Sequence, residues 1–212
     1  MITAVLFDLD GTLTNSLPLI RRTYKKVFRD MGLSWDETNI SHLVSLPLRE
    51  IGKKFAGEHK EQEFFDRYQH FYRQEHDEYI HLFPGTEDML NALQAHYKLG
   101  IVTSKSRIGT EMTVEFLNLA KWFSPIITAD EVKNHKPHPE PVIKALKALE
   151  AEPNQAVFIG DSPLDIQAGN SAGVSTIAVS WGMVEETVLI KHTPDYVAST
   201  REELLSIITQ LT

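Results

Sequence analysis

The chain has 212 residues, 42% hydrophobic and 24% charged, enough apolar sequence to bury one core or a core with an insertion. Its net charge of −8 argues against nucleic acid and anionic membranes as partners, and the lack of cysteine excludes disulfides, a thiol nucleophile and a cysteine-based zinc site. No apolar run is long enough to span a bilayer and no basic segment leads into an apolar one at the N-terminus, so a cytoplasmic location is expected.

The first element is an apolar strand, Ala4–Leu9, within Val5–Thr14, VLFDLDGTLT. Asp8 and Asp10 alternate with Phe7 and Leu9, so an extended strand points both carboxylates the same way. Like charges that close require a neutralising partner, and two oxygen donors suit Mg²⁺. Gly11 then allows a sharp turn beside them. Leu17, Ile20, Tyr24, Val27, Phe28 and Met31 follow at helical spacing, with Ser16 as cap and Gly32 as stop. Arg49 and Lys53 lie one helical turn apart. Taken alone, such a pair reads as a solvated helix face. Glu61–Ile80 also reads as helix, and His59, His70, His76 and His81 lack metal-site spacing and read as surface residues.

About eighty residues thus separate the first strand from the next with almost no strand signal. A structureless crossover of that length is improbable. The reading is a helical insertion over residues 16–83, between parts 1–15 and 84–212 of a core, hinged at Asn15–Leu17 and His81–Gly85. The core resumes with a helix over Thr86–Tyr97, capped by Thr86. Strands then follow at Leu99–Thr103, Pro125–Thr128, Ala156–Ile159 and Thr176–Val179, with Trp181-Gly182 behind the last as packing residues. A final helix opens with the capping box Thr200-Arg201-Glu202-Glu203. Alternating strands and helices imply an α/β fold with a parallel sheet.

Ligands of such sheets bind beyond the carboxyl ends of the strands. Polar residues gather there: Asp8 and Asp10; Thr103-Ser104-Lys105; Asp161 after Gly160; and Asp165 in the turn that follows. Lys136 stands in Asn134-His135-Lys136-Pro137-His138-Pro139. Taken singly, a strand-end threonine is a turn residue and a lysine is solvated. Asp161 and Asp165 could simply cap the helix begun at Pro163.

Together, DLDGT at Asp8–Thr12, Thr103, Lys136 before proline, and GDSPLD at Gly160–Asp165 resemble the four ordered motifs of the haloacid dehalogenase-like (HAD) hydrolase superfamily. Within it the chain is similar to the group with a helical cap: phosphoglycolate phosphatases, PpaX-type pyrophosphatases and β-phosphoglucomutases. The resemblance covers essentially the whole chain and implies a Rossmann-like parallel core. It further implies Asp8 as nucleophile, forming an aspartyl-phosphate, and Asp10 as acid and base. Mg²⁺ would be held by Asp8, the Asp10 main-chain carbonyl and Asp161, with Asp165 behind a metal-bound water. Thr103 and Ser104 would grip the phosphoryl group, Lys136 would balance charge, and Arg49 would contact the leaving group. Asn15 stands where many relatives carry aspartate, at the hinge.

Asp10 also sorts the chemistry. Dehalogenases of the superfamily lack an aspartate there, because a halide needs no proton, and phosphonatases depart there too. Cleavage of a small soluble phosphorylated metabolite is therefore expected, a phosphoglycolate-like phosphomonoester or pyrophosphate. A phosphosugar mutase is the alternative, and a non-catalytic phosphate-binding regulator a third reading. The protein is expected as a monomer or small homo-oligomer.

Overall fold

The fold is described from a computed structural model, which places residues 1–36 and 45–211. Six strands form one parallel sheet: β1 (Ala4–Phe7), β2 (Lys98–Val102), β3 (Ile126–Ile127), β4 (Ala156–Gly160), β5 (Ser175–Val179) and β6 (Tyr196–Ala198), in spatial order β3-β2-β1-β4-β5-β6. The strand at the centre, β1, is buried throughout, which explains its unbroken apolar sequence. Val5 and Phe7 point to one face and Ala4 and Leu6 to the other, as the period of two demands. The first pair joins Met89, Leu90, Leu93, Leu204 and Ile208. The second joins Val142, Leu146, Leu149 and Ala168. These partners lie on α4 (Thr86–Gln94), α9 (Arg201–Gln210), α6 (Glu140–Leu149) and α7 (Pro163–Ala172). The sheet is therefore covered on both sides.

Between β1 and β2, helices α1 (Leu17–Asp30), α2 (Leu48–Ala56) and α3 (Glu61–Tyr79) build an apolar cluster of their own. Its centre is aromatic: Tyr24 and Tyr68 have ring centroids 4.8 Å apart, Phe28 and Phe64 5.8 Å. Gly32 ends this first helix with φ +66°, and the Leu33 N–H returns to the Phe28 carbonyl at 2.8 Å. The two segments that connect the helices to the sheet pair with each other. Asn15 N donates to His81 O at 2.8 Å, Phe83 N donates to Leu13 O at 3.1 Å, and Thr14 bridges Leu82 antiparallel. The remaining helices are α5 (Arg107–Phe116) and the short α8 (Glu186–Leu189). Among the described residues, no helix is long and apolar enough to cross a membrane.

Several local expectations are corrected. The first strand ends at Phe7, not Leu9, because the Leu9 carbonyl turns to accept from Leu13 and Thr14 N–H groups. Strand β6 was not anticipated; Tyr-Val-Ala is too short to show a period. Thr86 is the first helical residue, not the cap. Gly85 holds that position with φ +80°, and the Thr86 hydroxyl is buried without a partner. That helix stops at Gln94, short of Tyr97. Ser16 occupies the cap position of α1, but its hydroxyl caps nothing. Thr200 does cap α9, accepting from Glu203 N at 3.1 Å; the Glu203 carboxylate reaches Ser199 N instead of closing the box. His76 is buried, while His59, His70 and His81 are exposed.

Candidate active site

The carboxyl ends of β1, β2 and β4 lie side by side and bring Asp8, Thr103 and Asp161 to one edge of the sheet. Asp8 follows the last residue of β1, its N–H still held by the Ile159 carbonyl at 2.8 Å. Lys136 is buried beneath it. Its Nζ donates to Asp8 Oδ1 at 2.9 Å, Asp165 Oδ1 at 2.5 Å and the Val102 carbonyl at 3.3 Å. Asp165 belongs to the first turn of α7, where its other oxygen accepts from Ser162 N and Oγ at 3.1 and 2.6 Å. It belongs to the capping box of the helix and fixes the lysine at once.

Asp161 accepts from Thr12 Oγ1 at 3.2 Å and from Met183 N at 2.8 Å. The chain makes room for it with glycine. A Cβ at Gly11 or at Gly182 would stand 2.2 Å from Asp161 atoms, and Gly11 also has φ +88°. Trp181 packs against the core as expected and donates Nε1–H to the Thr12 carbonyl at 3.1 Å, steadying the same loop.

Oxygens of Asp8, Asp161 and Asp165 lie within 4.8 Å of one another. Three buried carboxylates face one buried ammonium, a formal excess of two negative charges. Burial pushes the Asp8 carboxyl up to about 7; Lys136 offsets only part of this, and Asp165 and Asp10 add to it. Burial likewise drives Asp161 well above the carboxylate range, with Asp8 and Asp165 reinforcing the shift. Burial works against the Lys136 ammonium too, but Asp165 and Asp8 hold it charged. An all-oxygen donor set with this charge excess fits a hard divalent cation.

Asp10 stands apart. Residues 9–14 fold back after β1 instead of continuing the strand, yet Asp10 lines the same pocket as Asp8. Its carboxylate is gripped by Lys105 Nζ at 2.9 and 3.0 Å and touched by Thr14 Oγ1 at 3.4 Å. From the sequence Lys105 is only one of the polar residues after the second strand, with no role of its own; a bend at residues 104–105 leads into its contact with Asp10. Ser162 was missed, though legible as the first residue of a capping box with Asp165.

A pocket of about 660 Å³, open solvent at its mouth included, spans the sheet edge and the helical insertion. Asp8, Asp10, Thr103, Ser104, Lys136 and Asp161 line it, and Lys105 and Tyr72 close one flank. Thr103 Oγ1 accepts from Lys105 N at 3.2 Å, whereas the Ser104 hydroxyl is buried and unpartnered. Arg49 is not among the lining residues. Its guanidinium reaches Glu61 at 2.5 Å and Gln62 at 3.1 Å, 4.4 Å from the Phe65 ring centroid. Lys53 meets Glu50 at the exposed surface.

Residues 5–179 match the family model described as haloacid dehalogenase-like hydrolase. Pyrophosphatase PpaX of Oceanobacillus iheyensis is 34% identical over 208 residues, covering 98% of this chain and 97% of the relative. A PpaX pyrophosphatase of Bacillus cereus is 34% identical over 212 residues, 99% and 98% of the two chains. The structure superposes on a haloacid dehalogenase-like family protein from Streptococcus pneumoniae with TM-score 0.85, 28% identity and 98% of each chain covered. A β-phosphoglucomutase from Clostridium difficile has the same fold, with TM-score 0.87 at 23% identity over 100% of this chain and 97% of its own.

Proposed function

This chain belongs to the haloacid dehalogenase-like hydrolase family and is a phosphatase, and we propose that it cleaves a small phosphorylated metabolite through an aspartyl-phosphate on Asp8, with pyrophosphate as the first substrate to test. One observation carries the reading: Asp8 stands at the strand tip against Lys136, while Asp10, on a separate lysine, faces the same pocket. The two aspartates are held apart by different partners, as two different tasks require.

In the first half-reaction an Asp8 oxygen attacks phosphorus as the bond to the leaving oxygen breaks, and Asp10 gives that oxygen its proton. In the second, Asp10 takes a proton from water, whose oxygen attacks the same phosphorus. The bond to Asp8 breaks and phosphate leaves. Thr103 and Ser104 hydroxyls donate to the non-bridging oxygens, and Lys136 balances their charge. Mg²⁺ held by Asp8, the Asp10 carbonyl and Asp161, with Asp165 behind it, would offset the charge that two lysines leave uncompensated. Lys105 lines the same pocket, where a phosphate leaving group would meet a cation; this and the 34% identity to a PpaX pyrophosphatase favour pyrophosphate.

Residues 16–83 would act as a cap over a catalytic core of 1–15 and 84–212, closing on the substrate and excluding bulk water. Arg49, tied to Glu61, would reach a substrate only after exchanging that partner. A cytoplasmic location would suit a substrate of this kind.

The test is phosphate release with Mg²⁺ from pyrophosphate, phosphoglycolate, p-nitrophenyl phosphate and β-glucose 1-phosphate. Turnover that requires Asp8 and stops in EDTA is expected. Release unaffected by Asp8→Asn would overturn the mechanism. Glucose 6-phosphate formed faster than free phosphate, with a trace of bisphosphate present, would make the protein a mutase.

A further inference from the structure

Asp161 is held by two loops from distant parts of the chain: Thr12 from the turn after β1, and Met183 from the segment after β5. Trp181 bolts these loops together, because its Nε1–H donates to the Thr12 carbonyl at 3.1 Å. The indole is itself backed by Arg201, the first residue of α9, whose guanidinium carbon lies 4.0 Å from the Trp181 ring centroid. A second ring, Phe83, lies 5.0 Å from the same carbon, and Phe83 N donates to the carbonyl of Leu13, the residue after Thr12. Arg201 Nε and Nη2 are buried, and among the described residues they have no hydrogen-bond partner. Burial works against the charge, and the Glu202 carboxylate offsets that only in part. A desolvated guanidinium without acceptors is held by aromatic faces. The two rings set its position, and it fixes theirs in turn.

We propose that Arg201 is a positioning residue for Asp161: by pressing Trp181 onto Thr12, it keeps both hydrogen bonds to the carboxylate in place and so raises the affinity for a divalent cation. The loops leave no slack. A Cβ at Gly11, beside Thr12, or at Gly182, beside Trp181, would stand 2.2 Å from Asp161 atoms, so a shift of either loop moves the carboxylate with it. The proposal rests on the reading of Asp161 as a metal ligand.

Mg²⁺ affinity in the absence of substrate tests it. Scanning calorimetry across Mg²⁺ concentrations gives each variant's Kd from the rise in Tm above its own value in EDTA. Arg201→Met keeps much of the side chain's length but loses the charge and the plane. Its Kd should rise about tenfold, as when an outer partner of a metal ligand is lost. Trp181→Phe keeps an aromatic face for Arg201 but loses the N–H, and should weaken Mg²⁺ at least as much. The double variant should bind no more weakly than Trp181→Phe alone, because both residues act along one path. Arg201→Lys returns a cation to the ring and should recover part of the affinity. A merely packing role would lower Tm in EDTA and leave Kd unchanged. An unchanged Kd in Arg201→Met, alongside a loss in Asp161→Asn, overturns the role of Arg201 alone. An unchanged Kd in Asp161→Asn overturns the metal assignment of Asp161 and the proposal with it.

Discussion

Asp8→Asn should abolish turnover and, where no divalent cation is present, should stabilise the protein. In the metal-free protein three carboxylates crowd one ammonium, and the Asp8 carboxyl has risen from 3.8 to about 7. A carboxyl raised in the folded state binds its proton more tightly there than in the unfolded chain. Stability from this group is therefore greatest below about pH 4, falls as pH rises toward 7, and is level beyond. Roughly three units at about 1.36 kcal/mol each give an upper bound near 4 kcal/mol for the ionised aspartate. Relaxation and water penetration reduce such figures. A gain of about 2 kcal/mol is expected for the asparagine variant at pH 8, or about 4–8 °C in Tm for a chain of this size. Asparagine keeps an oxygen for Lys136, so no hydrogen bond need be lost. Mg²⁺ should reverse the order, because at a hundred times its Kd a ligand adds about 2.7 kcal/mol to a protein that binds it, and the variant lacks one donor. Scanning calorimetry at pH 5 and pH 8, in EDTA and in Mg²⁺, reads all four conditions. If the variant in EDTA at pH 8 melts at or below the wild type, the charge account of this site is wrong.

Lys136→Met removes the cation that bridges Asp8 and Asp165, and should cost about 3–5 kcal/mol at pH 8 by denaturant unfolding in EDTA; a loss equally large at pH 5 would contradict the electrostatic cause. Gly11→Ala forces a side chain into a φ of +88° and onto Asp161. It should cost more than about 1 kcal/mol and abolish stabilisation by Mg²⁺, so an unchanged calorimetric response would remove Asp161 from the metal set. Ser104→Ala deletes a buried hydroxyl with no protein partner. Stability should hold within about 0.5 kcal/mol while kcat/KM falls about tenfold; the opposite pattern in unfolding and kinetics would make the serine structural.

The fold was legible because its signals are local and repeated. Apolar strands, helical periodicity and the stop at Gly32 each follow from backbone geometry and burial. Asp8, Thr103 and Asp161 stand at strand ends, Lys136 beside proline and Asp165 in a helix's first turn, where side chains are not needed for packing, and only their occurrence together as motifs singled them out. What escaped depends on tertiary partners. Asp10 takes its partner, Lys105, from ninety-five residues away, after a turn that strand alternation does not anticipate. His76 sits in a polar helix yet is buried because α5 packs on it, and Thr86 loses its cap role to a glycine whose conformation the turn imposes. Arg49 looked poised for substrate, but Glu61, one helix later, lies near enough to claim it.

The paired segments 13–15 and 81–83 have a mechanical consequence. Two chains hydrogen-bonded as a ribbon resist twisting and sliding past each other, since either motion breaks Asn15 to His81 or Phe83 to Leu13. Bending across the ribbon's flat face breaks neither. The helices beyond it are thus confined to something near one angular coordinate, like a door on a strap hinge. Were these helices to open and close as the proposed cap, a swing of that kind would return Tyr72 and Gln69 to the same seats on Thr113 and Ser106, and the geometry of the site would be reproduced each cycle without a search.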